Sequence, residues 1–329
     1  MKNIKYILIT GGLGYLGSHA VVKLLKKNKN IIVVDNLTNS KIQTISKIKK
    51  IAKKNFKFFK IDIRKKKLER VFKKYKIIKV LHFAGLKSVK ESENKPYEYL
   101  SNNFSGTLNL LTIMKRYQCR KIIFSSSACV YHEKNKLPFT ESSKTNPKSV
   151  YGISKLAVEL LLKSEFKFDK NPWSIIIFRY FNPIGSHPSG LLNEDPKKIE
   201  NIIPNLIRSI KTGKIFNVFG GNYRTKDGTC YRDYIHIDDL IDAHLSGLKY
   251  LNQRIYEVVN IGTGKCYSVK ELISIFSKIL NYDIPYKVVG RREGDVPVCY
   301  ASIKKSEKFL RWKTKKNILT MCKDIIKVI

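Results

Sequence analysis

The chain has 329 residues, and this length predicts either two lobes or one large α/β unit. A hydrophobic content of 43% is enough to form a buried core and excludes a disordered chain. The longest apolar runs, such as Ile31–Val34 and Ile175–Phe178, have the size of strands and fall far short of the roughly 18 residues that a membrane span needs. Because the N-terminal apolar patch runs directly into a glycine motif, we interpret it as a first strand rather than a signal peptide and expect a cytoplasmic protein.

The charge balance is unusual, with 64 Lys and Arg against 26 Asp and Glu and a net charge of +38. Such a charge attracts nucleic acid or an anionic membrane at low salt. The lysines are spread along the chain in short runs, and no surface of interleaved Arg and aromatic residues stands out. We interpret them as solvated faces and expect no specific nucleic-acid partner and no membrane partner, with a polyanion-binding protein as the alternative.

The six cysteines are scattered and form no CxxC motif. They therefore predict reduced thiols and no metal site.

The first half of the chain alternates between short apolar segments and amphipathic ones. The predicted strands are Tyr6–Thr10, Ile31–Asp35, Phe56–Asp62, Lys79–Ala84, Lys121–Ser126 and Ser174–Arg179. The predicted helices are Tyr15–Lys27, Ile42–Lys53, Leu68–Tyr75, Tyr97–Arg116 and Val150–Phe168. Continuously apolar strands separated by helices predict an α/β protein with a Rossmann-like, doubly wound parallel sheet.

After about Asn182 this rhythm breaks, because prolines and glycines become frequent. We predict a smaller, loop-rich α+β lobe over residues 183–329, after a Rossmann-like domain over residues 1–182. Its helices are expected near Ile199–Thr212, His236–Leu251 and Val269–Asn281. A strand over Tyr256–Ile261 is expected to return to the first sheet.

A glycine motif joins the first strand to the first helix. Its spacing reads as GxxGxxG through Gly11, Gly14 and Gly17, and as GxGxxG if Gly12 is counted. Glycines at this place allow a tight turn and a close approach of backbone to a pyrophosphate at the helix N-terminus. Asp35 ends the second strand, where a carboxylate accepts hydrogen bonds from an adenosine ribose and repels a 2′-phosphate, so NAD is favoured over NADP. The alternative is a glycine turn in a flavodoxin-like protein.

Two further strand ends point to the same site. Asp62 and Ile63 follow the third strand, where the carboxylate would face an adenine amino group. The segment of small and apolar residues that ends the fourth strand allows backbone to approach the cofactor, and it comprises Phe83, Ala84, Gly85 and Leu86. Lys87 would then meet a phosphate, or it is a surface lysine.

The candidate catalytic set is Ser127, Tyr151 and Lys155. The Tyr-x-x-x-Lys spacing is one helical turn, so both side chains share a face. A tyrosine has an ordinary pKa near 10, and lowering it to about 7 takes roughly 4 kcal/mol. An ammonium one turn away and a positive nicotinamide ring would supply this stabilisation, with the serine relaying the substrate proton. The alternative is a packing tyrosine beside a solvated lysine.

These motifs occur together with RYFNPIGSHPSG, DGTCYRDYIH and RREGD, and over nearly the whole chain the sequence resembles the UDP-glucose 4-epimerase family of extended short-chain dehydrogenases/reductases. The resemblance gives Ser127, Tyr151 and Lys155 the catalytic roles. It implies a tightly bound NAD whose site is lined by Gly11, Gly14, Tyr15, Leu16, Gly17, Asp35, Asn36, Leu37, Thr38, Asn39, Ser40, Asp62, Ile63, Phe83, Ala84, Gly85, Leu86, Lys87, Asn102, Ser127, Tyr151, Lys155 and Phe181. It implies a UDP-sugar substrate held by Lys87, Ser127, Tyr151, Asn182, Asn201, Ile202, Asn217, Val218, Phe219, Arg232, Arg292, Glu293, Gly294, Asp295 and Cys299.

The reaction implied by this resemblance inverts carbon 4 of the hexose through a 4-keto sugar that rotates about its linkage to the diphosphate. Arg232 and Arg292 are each suited to bind the diphosphate through two hydrogen bonds, and Asp295 would accept one from a ribose hydroxyl. For Arg232, a structural pair with Asp233 is the alternative. A homodimer through the two long helices, Tyr97–Arg116 and Val150–Phe168, is also implied.

Three positions depart from the family pattern or tune it. Cys129 stands where threonine is common, and His132 replaces a usual glycine. Cys299 matches a position that walls the hexose pocket and is tyrosine in several bacterial members, so the smaller cysteine predicts that a 2-acetamido sugar is also accepted. The alternative is that Tyr300 or the loop of Cys129 refills the space.

Two other functions stay open. A nucleotide-sugar 4,6-dehydratase would place a carboxylate near carbon 6, whereas the triplet here is Ser127-Ala128-Cys129. A catalytically silent NAD-binding protein is the second, and the complete catalytic set speaks against it.

Overall fold

The computed structural model describes residues 4–194, 201–292 and 294–327, and within them the chain divides into two compact units. The first unit takes its described residues from Met1–Val130, Thr145–Arg179 and Ile241–Val259. The second takes them from Tyr131–Lys144, Tyr180–Leu240 and Asn260–Ile329. The boundary predicted at residue 182 lies close to one of these crossings, but a single boundary does not describe a chain that moves between the units several times.

Fourteen strands are present in the described part of the chain. They are β1 (Lys5–Thr10), β2 (Ile31–Asp35), β3 (Lys57–Lys60), β4 (Lys76–His82), β5 (Lys121–Ser127), β6 (Ser174–Tyr180), β7 (Asn182–Ile184), β8 (Phe216–Phe219), β9 (Tyr231–Arg232), β10 (Tyr234–His236), β11 (Ile255–Ile261), β12 (Tyr267–Ser268), β13 (Tyr286–Val289) and β14 (Val298–Cys299).

Twelve α-helices accompany them across the same described ranges. They are α1 (Tyr15–Lys26), α2 (Thr44–Ala52), α3 (Glu69–Lys74), α4 (Val89–Asn94), α5 (Pro96–Tyr99), α6 (Gly106–Arg116), α7 (Val150–Phe168), α8 (Ile202–Thr212), α9 (Ile237–Tyr250), α10 (Val269–Leu280), α11 (Lys304–Leu310) and α12 (Ile318–Ile326). Short 3₁₀ turns cover Lys66–Leu68 and Ala128–Val130, and a π-helical turn covers Leu100–Ser105.

The first unit is organised by a seven-stranded sheet with the strand order β11-β6-β5-β4-β1-β2-β3. Strand β1 pairs in parallel with both β2 and β4, and the outer pairs β2–β3 and β4–β5 are parallel as well. All five residues of β2 and all seven of β6 are buried, which explains why these strands are apolar on both faces. The predicted Rossmann-like fold class is confirmed, and β11 occupies the place predicted for a returning strand.

The predicted helix over Tyr97–Arg116 is wrong in its middle, where the chain forms α5, a π-helical turn and α6 in succession. The extra residue in a π turn changes the direction in which the following side chains point. Here it places Asn102 and Asn103 on the inner side, where both are buried. Gly106 then brings α6 close to the third strand end, because a Cβ at this position would lie 2.9 Å from the side chain of Ile63.

The second unit has its own core beneath three small sheets, which pair β10 with β7, β8 with β13, and β9 with both β12 and β14. Helices α8, α10 and α12 supply buried residues such as Leu206, Phe276 and Met321 to this core. The unit matches the loop-rich α+β lobe predicted from the sequence. The predicted start of α8 at Ile199 lies outside the described residues, and the helix is described from Ile202.

Within the described residues, no helix is at once long enough and apolar enough to cross a membrane. All six cysteines are free thiols. The same part of the chain contains no cluster of His, Cys, Asp or Glu side chains that would hold a metal ion.

Candidate active site and cofactor groove

A groove lies in the first unit along the carboxyl ends of the central strands. It is lined by Gly11, Gly14, Val34, Asp35, Asn36, Thr38, Asn39, Ser40, Ile61, Ile63, Phe83, Ala84, Gly85, Leu86 and Asn102. Thirteen of these residues were predicted for the cofactor site from the sequence. Two were missed, Val34 and Ile61, because buried strand residues in an apolar run give no signal that they also line a cavity.

The glycine turn opens this groove. Gly11 has a φ of +67°, and a Cβ there would lie 2.7 Å from the backbone nitrogen of Ala84, so only glycine fits. A Cβ at Gly17 would overlap the carbonyl of Gly11 and lie 2.7 Å from the Cα of Gly12. Gly14 caps α1 with no side-chain hydrogen bond, which leaves the N–H groups of the first turn available to an anion. The turn therefore fits a pyrophosphate.

Asp35 connects the glycine turn to the loop after β2. Its carboxylate accepts hydrogen bonds from the backbone N–H groups of Leu13 at 3.0 Å and Leu37 at 2.9 Å, and from the hydroxyl of Ser40 at 2.7 Å. A carboxylate offers about four acceptor positions, so one remains for a ribose hydroxyl. A buried carboxylate at the edge of the groove also disfavours an additional phosphate group, as the sequence predicted for NAD over NADP.

Asp62 is engaged by the protein rather than directed freely at the groove. Arg64 donates to its two oxygens, at 3.0 Å from Nε and 2.6 Å from Nη2, and Asn36 donates at 3.4 Å. The hydrogen bonds from Arg64 lower the pKa of Asp62 below its ordinary value. The carboxylate is thus ionised and largely occupied, and the groove lining at this strand end comes from Ile61 and Ile63.

The loop after β4 is attached to the π-helical turn by Asn103, a residue that the sequence analysis missed. Its side-chain oxygen accepts from the backbone N–H of Leu86 at 2.8 Å, and its amide nitrogen donates to the carbonyl of Leu86 at 3.0 Å and to the hydroxyl of Ser154 at 2.9 Å. Asn102, its predicted neighbour, lines the groove. The Asn-Asn pair is visible in the sequence, but only the π turn gives each member its own direction.

The catalytic set is assembled between β5 and α7. Ser127 ends β5, and its hydroxyl hydrogen-bonds the Tyr151 side chain and accepts from the backbone N–H of Cys129 at 3.2 Å. Lys155 donates to the carbonyl of Ser125 at 2.8 Å, and its ammonium lies 5.8 Å from the centroid of the Tyr151 ring. The start of α7 is fixed by Ser149, which accepts from the backbone N–H of Gly152.

Burial dominates the titration of this set. It raises the pKa of Tyr151 above its ordinary value; the thiol of Cys129 acts in the same direction, and the hydrogen bond with Ser127 opposes them. Burial also lowers the pKa of Lys155 to about 8. The sequence prediction combines the ammonium with a positive nicotinamide ring, and the protein neighbours alone leave the pKa of Tyr151 above its ordinary value. A further positive charge beside the ring is needed for Tyr151 to act as a base.

In the second unit, Arg232 lies on β9 directly across from Cys299 on β14. Its guanidinium donates to the carbonyl of Val296 at 2.7 Å and to Asp295 at 3.2 Å. Asp233 instead accepts from Thr263, Gly264 and Ala301. The alternative of an Arg232–Asp233 pair is thus wrong, and Asp295 is the carboxylate that orients this arginine.

The other predicted sugar-binding residues are spread over the second unit. Asn182 begins β7, Asn201 and Ile202 begin α8, and Asn217, Val218 and Phe219 belong to β8. The backbone N–H of Asp295 donates to the carbonyl of Arg292 at 3.3 Å. Gly294, which lies between these two residues, has a φ of +79°. Glu293 lies outside the described residues. Phe181 is buried, and its N–H donates to the carbonyl of Ile261.

Five predicted cofactor residues from the glycine helix and its surroundings are not among the lining residues of the groove: Tyr15, Leu16, Gly17, Leu37 and Lys87. Lys87 is next to the first turn of α1, with its ammonium 5.9 Å from the centroid of the Tyr15 ring. Leu16 follows Tyr15 in that turn, and Leu37 has a φ of +66° in the loop that Asp35 holds.

The groove, the glycine turn and the Ser/Tyr/Lys set together define a nucleotide-dependent enzyme that moves protons and hydrides. In agreement, residues 7–262 match the NAD dependent epimerase/dehydratase family.

Known proteins resemble the chain along nearly its full length. "UDP-glucose 4-epimerase 2" of Arabidopsis thaliana is 42% identical, with 98% of this chain and 94% of that protein aligned. The crystal structure of UDP-glucose 4-epimerase from Bifidobacterium longum in complex with NAD+ and UDP is 41% identical, has a TM-score of 0.94, and covers 98% of this chain and 97% of its own. The UDP-Glc/GlcNAc 4-epimerase of Campylobacter jejuni is 34% identical, with a TM-score of 0.84 and 98% of each chain covered. The chain belongs to the UDP-glucose 4-epimerase family.

The close packing at Gly17 leads to a prediction about the cofactor. In Gly17→Ala, the added methyl displaces the Gly11 carbonyl and opens the turn, so we expect purified protein to lose most of its bound NAD. Cofactor content per chain, measured by absorbance after denaturation, tests this. Gly290→Ala is the control, because a Cβ there meets nothing within 4 Å. Full NAD occupancy in Gly17→Ala would contradict the assignment of the turn as the pyrophosphate site.

Proposed function

We propose that this chain interconverts UDP-glucose and UDP-galactose by inverting carbon 4 of the hexose, with NAD held permanently in the groove of the first unit. The observation that carries the proposal is the set of buried Ser127, buried Lys155 and partly exposed Tyr151. It adjoins that groove through Gly85, where a Cβ would lie 3.3 Å from the Lys155 ammonium. The family membership and the NAD and UDP named for the Bifidobacterium longum structure support the same reaction.

The chain's own residues move the proton. Tyr151 accepts it from the 4-hydroxyl group and returns it after the 4-keto sugar has presented its other face, and Ser127 relays it through the hydrogen bond that joins the two side chains. Lys155 keeps a positive charge near the phenolate. Bound NAD supplies a reversible hydride acceptor and a positively charged ring, which is the additional charge that the pKa of Tyr151 requires.

The second unit is proposed to hold the UDP part of the substrate. Arg232 is fixed by Asp295 and by the carbonyl of Val296, and Arg292 is proposed to provide a second guanidinium for the diphosphate. Charged side chains are proposed to bind the phosphates, and few are proposed to bind the hexose. This distribution agrees with a substrate whose diphosphate is held firmly while its sugar turns.

The dehydratase alternative lacks support at the strand end. Elimination of water from a sugar needs an acid near carbon 6, and Ser127-Ala128-Cys129 contains no carboxylate. A catalytically silent NAD-binding protein would not need a lysine that is buried and bonded beside Tyr151, because burying that ammonium is costly.

Removing the phenolic hydroxyl of Tyr151 tests the reaction. In Tyr151→Phe, we expect bound NAD to be retained and conversion of UDP-galactose to UDP-glucose to fall by a factor of about 10³ or more, because no other group takes the proton. Tyr282→Phe, at an exposed tyrosine of the second unit, is the matched control. Product analysis without added reductant decides between the two enzymes, since a 4-keto-6-deoxy sugar would indicate a dehydratase and overturn the proposal.

We further propose a homodimer formed through α6 and α7. These helices of the first unit leave several apolar side chains uncovered, among them Leu108, Ile153, Leu160 and Phe168, the last of which is 72% exposed. Ile153 and Leu160 are seven residues apart on α7 and therefore share a face. Apolar side chains grouped in this way are typical of a protein interface.

The dimer predicts a sedimentation mass of twice the 38.0 kDa chain mass at micromolar concentration. Leu160→Glu places a charge in the proposed interface and should shift the protein to the monomer. Ile42→Glu, at an apolar residue of similar exposure elsewhere in the first unit, should leave the dimer intact. A wild-type mass of 38.0 kDa at every concentration would exclude the dimer.

The size of the sugar pocket is proposed to depend on Cys299. It lies on β14 across from Arg232 and is partly exposed, so its side chain borders the residue proposed to bind the diphosphate. Cysteine is smaller than the tyrosine found at the matching position in several bacterial family members, which leaves room for a 2-acetamido group. The Campylobacter jejuni relative, described as a UDP-Glc/GlcNAc 4-epimerase, supports a second substrate pair, UDP-GlcNAc and UDP-GalNAc.

This assignment predicts that the wild type epimerises UDP-GlcNAc and that Cys299→Tyr loses at least ten-fold more activity on UDP-GlcNAc than on UDP-glucose. Cys299→Ser is the control, because it keeps the side-chain volume and should retain both activities. The ratio of kcat/KM for the two substrates is the measurement. An unchanged ratio in Cys299→Tyr, or no turnover of UDP-GlcNAc by the wild type, would remove Cys299 as the residue that sets sugar size.

The cytoplasm is the proposed location. The six free thiols agree with a reducing compartment.

A further inference from the structure

Helix α7 carries a third residue in line with the two catalytic ones. Tyr151, Lys155 and Glu159 are spaced by four residues and therefore lie on one face of the helix. Each of them bonds to one of three consecutive serines at the end of β5. Tyr151 bonds to Ser127, Lys155 donates to the carbonyl of Ser125, and the hydroxyl of Ser126 donates to the Glu159 carboxylate.

Glu159 is also half of a buried ion pair. Arg179 on β6 donates to both of its oxygens, at 3.0 Å from Nε to Oε1 and 2.6 Å from Nη2 to Oε2. Glu159 is 3% exposed and Arg179 is 5% exposed. Burying two charges costs desolvation energy that the attraction between them often fails to recover, so stability alone does not account for this pair.

We propose that the Glu159–Arg179 pair is a positioning pair for the proton-transfer set, holding the Ser125–Ser127 strand end in register against Tyr151 and Lys155. This inference rests on the proposed function. It assigns Glu159 and Arg179 a part in the reaction although neither residue is proposed to contact the substrate. Fixing Ser126 from within the protein fixes its two neighbours, since the backbone carbonyl of Ser125 and the side chain of Ser127 belong to the same extended segment. A shift of about 1 Å there is enough to slow a reaction that depends on alignment by about 100-fold.

The pair also controls the charge near Lys155. Glu159 favours the ammonium form and opposes the burial that lowers the pKa of Lys155 to about 8. The other titratable groups that face this ammonium are Tyr151 on the same helix and His82 on β4, and burial lowers the pKa of His82 to about 3, so His82 is neutral at working pH. The uncharged Gly85 also lies beside the ammonium, which is 3.3 Å from the place where a Cβ of that glycine would be. Without Glu159, the positive charge of Arg179 would repel the ammonium.

The test is Glu159→Gln, which keeps an oxygen to accept from Ser126 and removes the negative charge. We expect kcat per bound NAD to fall by about 10- to 100-fold with little change in KM, and the alkaline limb of the kcat–pH profile to move to lower pH as Lys155 loses its proton earlier. The double variant Glu159→Gln/Arg179→Met removes both charges and should return the limb toward its wild-type position. A limb that does not move in Glu159→Gln would overturn the electrostatic part of the proposal.

Ser126→Ala separates positioning from charge, because it leaves the ion pair in place. It should lower kcat without moving the limb, and it should speed hydrogen exchange of backbone amides in peptides covering 121–131, a readout that does not depend on turnover. Asp169→Asn is the control, since it removes another buried carboxylate at the end of the same helix that bonds Trp173 and not the serines. Two outcomes would contradict a positioning role and leave the pair a general structural one. In the first, residues 121–131 exchange at the same rate in Ser126→Ala as in wild type. In the second, Asp169→Asn speeds their exchange as much as Ser126→Ala does.

The hydrogen-exchange measurement does not depend on which reaction the protein catalyses. A wild type that does not epimerise UDP-galactose would refute the proposed function, and the exchange rates would still show whether the serine strand end depends on the hydrogen bond from Ser126 to Glu159.

Discussion

The arrangement of the catalytic residues in the first unit depends on one buried cation, the ammonium of Lys155. The ammonium of Lys155 is removed from water, and such a charge is tolerated only when donors and acceptors around it are fixed in advance. The carbonyl of Ser125 supplies a hydrogen bond, the Phe124 ring lies 5.0 Å away, and the absence of a side chain at Gly85 leaves the space that the ammonium occupies. The loop after β4 that contains Gly85 also lines the cofactor groove. The contacts that compensate for burying this one positive charge therefore join helix α7 to strand β5 and to the loop that lines the groove.

The sequence predicted most of this framework because the relevant signals are local. Strands such as β2 are apolar up to their last residue, and the glycine turn has a steric requirement that only glycine meets. A four-residue spacing on a helix puts Tyr151 and Lys155 on one face. The Asp35 carboxylate was also placed correctly at the groove. Its hydrogen bonds to Leu13, Leu37 and Ser40 were not foreseen, because they depend on how two loops meet.

What escaped prediction depends on contacts distant in sequence. The π-helical turn interrupts a segment whose polar and apolar periodicity predicts one helix. The turn directs Asn102 to the groove and Asn103 to the backbone of Leu86. The alternative that pairs Arg232 with its neighbour Asp233 is wrong, since Arg232 bonds Asp295, 63 residues away.

The strand β11 has a consequence for how the protein is made. The first unit draws its last segment from Ile241–Val259, and β11 forms the outer edge of the sheet beside β6. During synthesis, the apolar edge of β6 therefore stays without its partner until about 80 further residues have left the ribosome, since chain length alone separates the two strands in time. A nascent chain in that interval exposes a strand edge competent to pair with other chains, until β11 (Ile255–Ile261) covers it.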